Sequence, residues 1–325
     1  MTARGDILLQ IDAHTLAARL DRRALIDALD RGFREPAVVP ARQHYQVDSA
    51  RPGERGGALL LMPAWRPGGP LGIKLVTVYP DNAARGLPAV AATYLLLDAA
   101  TGEPRALLDG EELTLRRTGA ASALASRYLS APEASRLLMV GTGRLAPHLI
   151  ESHAAVRPIR EVRIWGRRRE RAEALAAALR RPHLHVQAAA DLEAAVRWAD
   201  VVSCATLARE PLVRGEWLRA GQHLDLVGAF TAQMRETDDE AIARAHLYVD
   251  TRAGALAESG EIQGAIARKV IGPQALRAEL SELPSGRFAR SHAQAITLFK
   301  SVGTALEDLI AAELALTGTA ILPGS

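Results

Sequence analysis

A single cysteine, Cys204, stands in 325 residues. It excludes an intrachain disulfide framework and any cysteine-rich zinc site. No apolar run reaches the ~20 residues of a membrane-spanning helix, and the longest, near Ala89–Leu97, falls far short. Met1–Gln10 lacks the basic-then-apolar pattern of a secretory signal, so a cytoplasmic chain without a membrane partner is expected. Aromatic residues make up only 4%. With no basic stripe interleaved with aromatics, no nucleic-acid partner is expected. Neither sign of charge dominates, with 40 basic and 37 acidic residues and a net charge of +3. Lysine is the scarcest charged residue, present only as Lys74, Lys269 and Lys300. The abundance of arginine and alanine reads as a compositional bias of a GC-rich genome. Against it, a retained lysine marks a place that needs a compact point charge rather than a planar fork.

The apolar fraction of 48% supports a full core, and the length suits two domains. Asp12–Gly32 has helical spacing, with Leu16, Leu20, Ile26 and Leu29 on one face. Strand-like runs follow at Pro40–Val47, Ala58–Pro63, Gly72–Tyr79, Ala91–Asp98 and Glu103–Asp109. Turn residues between them predict an antiparallel set. An alanine-rich helix is expected over Leu113–Leu129. After Arg136 the pattern changes. Strands at Arg136–Val140, Glu161–Trp165, Leu184–Gln187, Val201–Ala205, His223–Val227 and Leu247–Asp250 alternate with helices at Leu145–Val156, Arg169–Leu179 and Asp191–Trp198. This predicts an α/β fold with a Rossmann-type, doubly wound parallel sheet. A last helix over Ala293–Leu316 is expected to return to the first domain. The division is residues 115–300 for nucleotide binding, and 1–114 with 301–325 for a second, mixed α+β domain.

Gly141-Thr142-Gly143-Arg144-Leu145-Ala146 follows a strand and opens a helix. In G-x-G-x-x-A, the first glycine permits the tight turn and the second lets the backbone approach a pyrophosphate. The alanine allows close helix–strand packing, and the helix N-terminus supplies N–H groups for the phosphates. The expected cofactor set comprises Gly141, Thr142, Gly143, Arg144 and Leu145, with Thr206 and Val227 at the ends of later strands. The second strand ends in Gly166-Arg167-Arg168-Arg169. An acid there would hold the ribose 2′-hydroxyl of NAD, whereas Arg167 and Arg168 suit a 2′-phosphate. NADPH is therefore expected to be preferred over NADH.

Cations mark the other domain. Lys74 lies in the middle of an apolar strand, where desolvation demands a partner. Arg117 sits near the start of the alanine-rich helix. Arg42 and His44 share one face of a strand. An imino- or keto-acid substrate needs such cations for its carboxylate.

Ile73 through Val78, Leu113 through Ala120, Gly141 through Ala146, and Leu298-Phe299-Lys300-Ser301-Val302-Gly303-Thr304-Ala305 together resemble the ornithine cyclodeaminase/mu-crystallin family. The resemblance covers nearly the whole chain. It implies a homodimer, a central nucleotide domain, and a substrate and dimerisation domain made of the N-terminal segment and the C-terminal helix. It implies that Arg42, Lys74 and Arg117 hold the substrate carboxylate, and that Thr118, Ser301 and Gly303 lie near the cofactor.

In the family's cyclodeaminases a catalytic aspartate ends the strand before Glu236. Phe230 holds that position in Gly228-Ala229-Phe230-Thr231, and phenylalanine supplies neither acid nor base. The segment is similar to the family's ketimine reductases, which convert Δ1-pyrroline-2-carboxylate to L-proline and Δ1-piperideine-2-carboxylate to L-pipecolate. The implied activity is NADPH-dependent reduction of a small cyclic imino acid. Phe230 would pack against the substrate ring, and no metal is required. Lys74, His44 and Thr231 are the catalytic candidates. His44, Thr231 or a water would protonate the imine nitrogen unless it binds already protonated. The alternatives are ornithine cyclodeamination, an amino-acid dehydrogenase that uses ammonia, and a non-catalytic binding protein.

Overall fold

The computed structural model describes residues 8–49 and 55–317. Parts of the first domain's expected span, residues 1–7, 50–54 and 318–325, lie outside the described residues. The described chain divides into two compact units. One holds the residues up to Ala28, Glu35–Arg117, and those from Thr304 onward; the other holds Leu29–Arg34 and Thr118–Gly303.

The first unit opens with β1 (Leu9–Ile11), α1 (Ala13–Arg19) and α2 (Arg22–Gly32). The single helix expected over Asp12–Gly32 is two. Asp12 caps α1 through Thr15 N at 2.8 Å, and Asp21 accepts from Ala24 N at 3.0 Å, so a second cap restarts the helix. Then come β2 (Gln43–Val47), β3 (Gly57–Trp65), β4 (Pro70–Val78), β5 (Val90–Asp98), β6 (Pro104–Asp109) and α3 (Gly110–Leu129), of which this unit holds only the part up to Arg117, as it holds α2 only up to Ala28. β2 starts three residues later than expected, beyond Pro40, so Arg42 precedes the strand. The sheet runs β1-β6-β5-β4-β3-β2. β2 to β6 pair antiparallel, and β1 pairs parallel to β6.

Period-two alternation gives this sheet two faces. One carries Met62, Ala64, Lys74, Tyr94, Leu96, Ala106 and Leu108, all buried. The other carries Tyr45, Leu59, Leu61, Leu75, Ile73, Leu95 and Leu107. These abut in register (Tyr45 with Leu59, Leu61 with Leu75, Ile73 with Leu95, Leu95 with Leu107). They are half-buried at most, and Tyr45 and Leu75 are exposed.

The second unit contains β7 (Arg136–Val140), α4 (Leu145–Val156), β8 (Glu161–Trp165), α5 (Arg169–Leu179), β9 (His185–Ala188), α6 (Leu192–Trp198), β10 (Val201–Cys204) and β11 (His223–Leu226). It continues with α7 (Asp239–Arg244), β12 (His246–Val249), α8 (Arg252–Glu258), α9 (Gly260–Ala267), β13 (Leu276–Glu279) and β14 (Thr297–Lys300). The eight strands are parallel, in the order β13-β12-β14-β11-β10-β7-β8-β9. The chain leaves β7 in one direction for β8 and β9, then returns to its other side at β10. That reversal creates the crevice where doubly wound sheets bind ligands, beyond the carboxyl ends of the strands.

A further expectation is overturned. The helix predicted over Ala293–Leu316 is shortened to α10 (Ala305–Thr317), because Thr297–Lys300 is β14. This strand lies fully buried between β11 and β12. An apolar run flanked by small residues fits either element by pattern alone; two-sided burial decides for the strand. α10 belongs to the first unit, where it packs on β3 and β4. Among the described residues no helix is long and apolar enough to cross a membrane.

Candidate functional site

The fully buried end of β7 delivers Gly141 with φ of 125°. That is backbone that only glycine adopts without strain. A Cβ there would also stand 2.5 Å from the Ala205 carbonyl. At Gly143 the opposite holds: a Cβ would meet nothing within 4 Å, so its backbone faces open space that a ligand can enter. Ala146 is completely buried, and its N–H donates to Gly143 O at 3.1 Å. α4 starts from Arg144 with no side-chain cap, so no side chain competes with an anion at this helix N-terminus.

Beyond this turn lies a cavity of about 650 Å³. Gly141, Thr142 and Gly143 line one wall, Arg167, Arg168 and Arg171 a second, and the segment from Ala205 to Glu210 a third. Of the expected cofactor residues, Gly141, Thr142, Gly143, Arg167, Arg168 and Thr206 thus meet around one space. Arg169 turns away to pair with Glu173 at 2.8 Å, while Arg171, not singled out from the sequence, takes its place on the wall. Its signal is the spacing: Arg167, Arg168 and Arg171 all fall at the start of α5. The volume, the open backbone at Gly143 and the three guanidinium groups fit the phosphates of a dinucleotide.

Arg144, Leu145, Thr118, Val227, Ser301 and Gly303 are not among the lining residues. Ser301 and Gly303 have another engagement. The Asp250 carboxylate accepts from Ser301 Oγ at 3.1 Å, Val302 N at 2.7 Å and Gly303 N at 2.6 Å. Asp250, at the end of β12, therefore shapes this glycine turn, whose Gly303 has φ of 85°. Phe230 and Thr231 lie in the loop after β11, Phe230 exposed and Thr231 half-buried.

In the first unit the demand of Lys74 for a partner is met from within the chain. Lys74 is 2% exposed and Asp308 is fully buried. The ammonium donates to Asp308 Oδ1 at 2.9 Å, with Oδ2 at 2.8 Å, and to Thr114 Oγ1 at 3.3 Å. Arg117 Nη1 donates to Glu307 Oε2 at 2.6 Å, and its Nε lies 2.9 Å from Asp308 Oδ1. Burial, followed by the Arg117 charge, lowers the Lys74 pKa to about 8, against the pull of Asp308; Arg42 lowers it further. Sequence reading missed both acids. Their signal is the acidic first turn of α10, Glu307-Asp308, which reads equally as an ordinary helix start. Arg42 is half-buried, and His44 is exposed on the edge strand β2.

Comparison with known proteins places this geometry. The ornithine cyclodeaminase/mu-crystallin family profile matches residues 9–316. A Δ1-pyrroline-2-carboxylate reductase of Colwellia psychrerythraea is 36% identical over 93% of this chain and 96% of its own length. The ketimine reductase mu-crystallin of Rattus norvegicus is 36% identical over 88% of this chain and 85% of its own. Among solved structures, the Thermococcus litoralis Δ1-pyrroline-2-carboxylate reductase in complex with NADH and L-proline superposes with a TM-score of 0.89. It shares 33% identity and covers 96% of this chain and 97% of that one. The protein belongs to the ornithine cyclodeaminase/mu-crystallin family.

Proposed function

We propose that the protein is an NADPH-dependent reductase of cyclic ketimines, converting Δ1-pyrroline-2-carboxylate to L-proline and Δ1-piperideine-2-carboxylate to L-pipecolate. The observation that carries the reading is Phe230. It stands where the family's cyclodeaminases need a carboxylate, in a chain similar over nearly its whole length to Δ1-pyrroline-2-carboxylate reductases.

The nicotinamide supplies hydride to the imine carbon that also bears the carboxylate. The chain's own task is positioning. Gly141–Gly143 and the start of α4 hold the pyrophosphate. Arg167, Arg168 and Arg171 hold the 2′-phosphate, which is what favours NADPH. Lys74 and Arg117, with Arg42 close by, hold the substrate carboxylate. Asp308 and Glu307 keep the two buried cations fixed before substrate arrives, so binding does not have to order them. With a pKa near 8, Lys74 can also pass a proton toward the imine nitrogen at neutral pH; His44 and Thr231 are the other donors. Phe230 packs against the substrate ring and excludes water.

The homodimer is built on the first unit. The half-buried and exposed leucines of its sheet face form a contiguous patch across β3 to β6. Patches of that kind mark interfaces, and a second copy of the same sheet face covers it with two-fold symmetry.

The test is one panel. NADPH oxidation is followed with the two cyclic imino acids and with pyruvate plus ammonia, and ammonia release is followed from L-ornithine with catalytic NAD. Rapid turnover of either cyclic imino acid is expected, with no ammonia from ornithine. Ornithine turnover comparable to imine reduction would overturn the assignment.

A further inference from the structure

Glu236 is a buried acid that this scheme leaves unused. Its carboxylate is fully buried, yet it accepts four hydrogen bonds from two different loops. Thr206 N and Oγ1, after β10, donate to Oε1 at 2.7 and 2.9 Å. Gly228 N and Ala229 N, after β11, donate to Oε2 at 2.8 and 3.3 Å. The two loops touch directly: a Cβ on Gly228 would fall 2.1 Å from Thr206 N. Thr206 lines the dinucleotide cavity, and Ala229 leads into Phe230 and Thr231. One side chain therefore ties the cofactor wall to the loop that carries the distinguishing phenylalanine.

The surroundings make this tie titratable. Glu261, from α9, accepts from the Glu236 backbone N–H at 2.8 Å and lies 3.5 Å from the Lys300 ammonium of β14. All three side chains are fully buried. From β10, Cys204 faces the same cluster, its thiol pushed up by burial and by Glu236, Asp225 and Glu261. Burial pushes the Glu236 carboxyl up to about 7, Lys300 opposing and Glu261 adding to the rise. The four donors are N–H and O–H groups, which only an ionised carboxylate accepts in full. A proton on either oxygen sets a donor against a donor.

We propose that Glu236 is the positioning residue of the cofactor site, its carboxylate clasping the loops after β10 and β11 and releasing them on protonation. The inference rests on dinucleotide binding by this unit and not on the identity of the substrate. The experiment is a fluorescence titration of the full-length protein with NADH across pH 6 to 8.5, alongside thermal unfolding. NADH is the probe because it lacks the 2′-phosphate, whose own titration would confuse the profile. The wild type is expected to lose at least threefold in NADH affinity between pH 8 and pH 6. Glu236→Gln is expected to bind NADH about tenfold more weakly at pH 8, with a flat profile, while remaining folded. Glu236→Asp should recover part of the pH step. A flat wild-type profile would overturn the proposal, whatever the variants do. So would a Gln variant that keeps the wild-type step. If the panel above showed a different substrate, this profile would be unaffected, so the two readings fail separately.

Discussion

Asp308→Asn exposes what holds the first unit's cation cluster together. The substitution keeps the shape and removes the charge that faces Lys74 at 2.8–2.9 Å, in a site where Lys74 is 2% exposed and Asp308 fully buried. Removing one partner of a buried pair costs ~3–5 kcal/mol, since the surviving charge has neither partner nor water. Arg117 also loses its 2.9 Å contact with Asp308 but keeps Glu307. The lower end, about 3 kcal/mol, is therefore expected. Lys74→Met should also destabilise, yet the double variant should recover about 2 kcal/mol of the summed losses, because no buried charge is left unpaired. Urea unfolding of the four proteins at pH 7 closes the cycle. Additivity within ~0.5 kcal/mol would refute the coupling.

The pH dependence supplies a second reading of the same pair. Folding lowers the Lys74 pKa from 10.5 to about 8. Between those values the unfolded chain holds a proton that the folded chain lacks, so this group makes stability rise with pH across that window. Asp308→Asn removes the charge that holds the proton on Lys74. The rise should then begin at lower pH than in the wild type.

Three further outcomes are expected. Arg167→Asp should lower kcat/KM for NADPH at least tenfold while leaving that for NADH within about threefold, one charged hydrogen bond to a phosphate being worth ~1.5–3 kcal/mol; steady-state kinetics with both cofactors check it, and equal losses would count against the phosphate assignment. Leu61→Glu should convert a dimer to a monomer in sedimentation equilibrium, because it sets a charge amid Leu59, Leu75 and Ile73 on the open sheet face; a wild type already monomeric at micromolar concentration would remove the interface. Phe230→Asp should impair imine reduction without creating ammonia release from L-ornithine, since one carboxylate does not rebuild the rest of a cyclodeaminase site; ammonia release approaching the wild-type imine rate would show that Phe230 alone separates the activities.

The nucleotide unit is legible in the sequence because each βα step carries its own local signal. A short strand and a following helix repeat from Arg136 onward, with glycine turns after β7 and β8. The G-x-G-x-x-A loop adds a backbone requirement that Gly141 meets at φ of 125°. β14 escapes this reading because Thr297–Lys300 enters the sheet out of sequence order, between β11 and β12. Nothing local tells a four-residue buried strand from the first turn of the helix that follows. The acids escape for a similar reason. Asp308 lies 234 positions from Lys74, Glu307 lies 190 from Arg117, and Glu261, in α9, is separated from Lys300 by β13 and a long loop. A sequence shows that a buried cation needs a partner; it does not show which distant carboxylate the fold brings to it.

Lysine, the scarcest charged residue here, shows how far composition can reach toward structure. Two of the three lysines, Lys74 and Lys300, are at most 2% exposed, and each faces a fully buried carboxylate, Asp308 and Glu261. An ammonium carries three donors on a narrow stem; a guanidinium carries five in a rigid plane. In a space with one carboxylate and few other acceptors, a guanidinium would leave several N–H groups unpaired, each at a desolvation cost of ~1–3 kcal/mol. Compositional bias toward arginine therefore stops where the interior cannot satisfy its donors. Arg117 tests this argument from the other side. It is buried as deeply as the lysines need to be, yet it is an arginine, and it has two carboxylates, Glu307 and Asp308, to receive its donors. The identity of each buried cation thus follows from the number of acceptors the fold places around it. On that argument Lys300→Arg should destabilise the second unit more than Arg117→Lys destabilises the first, as read by the melting temperature of each variant. The reverse order would mean that charge alone, and not donor count, decides which cation the interior accepts.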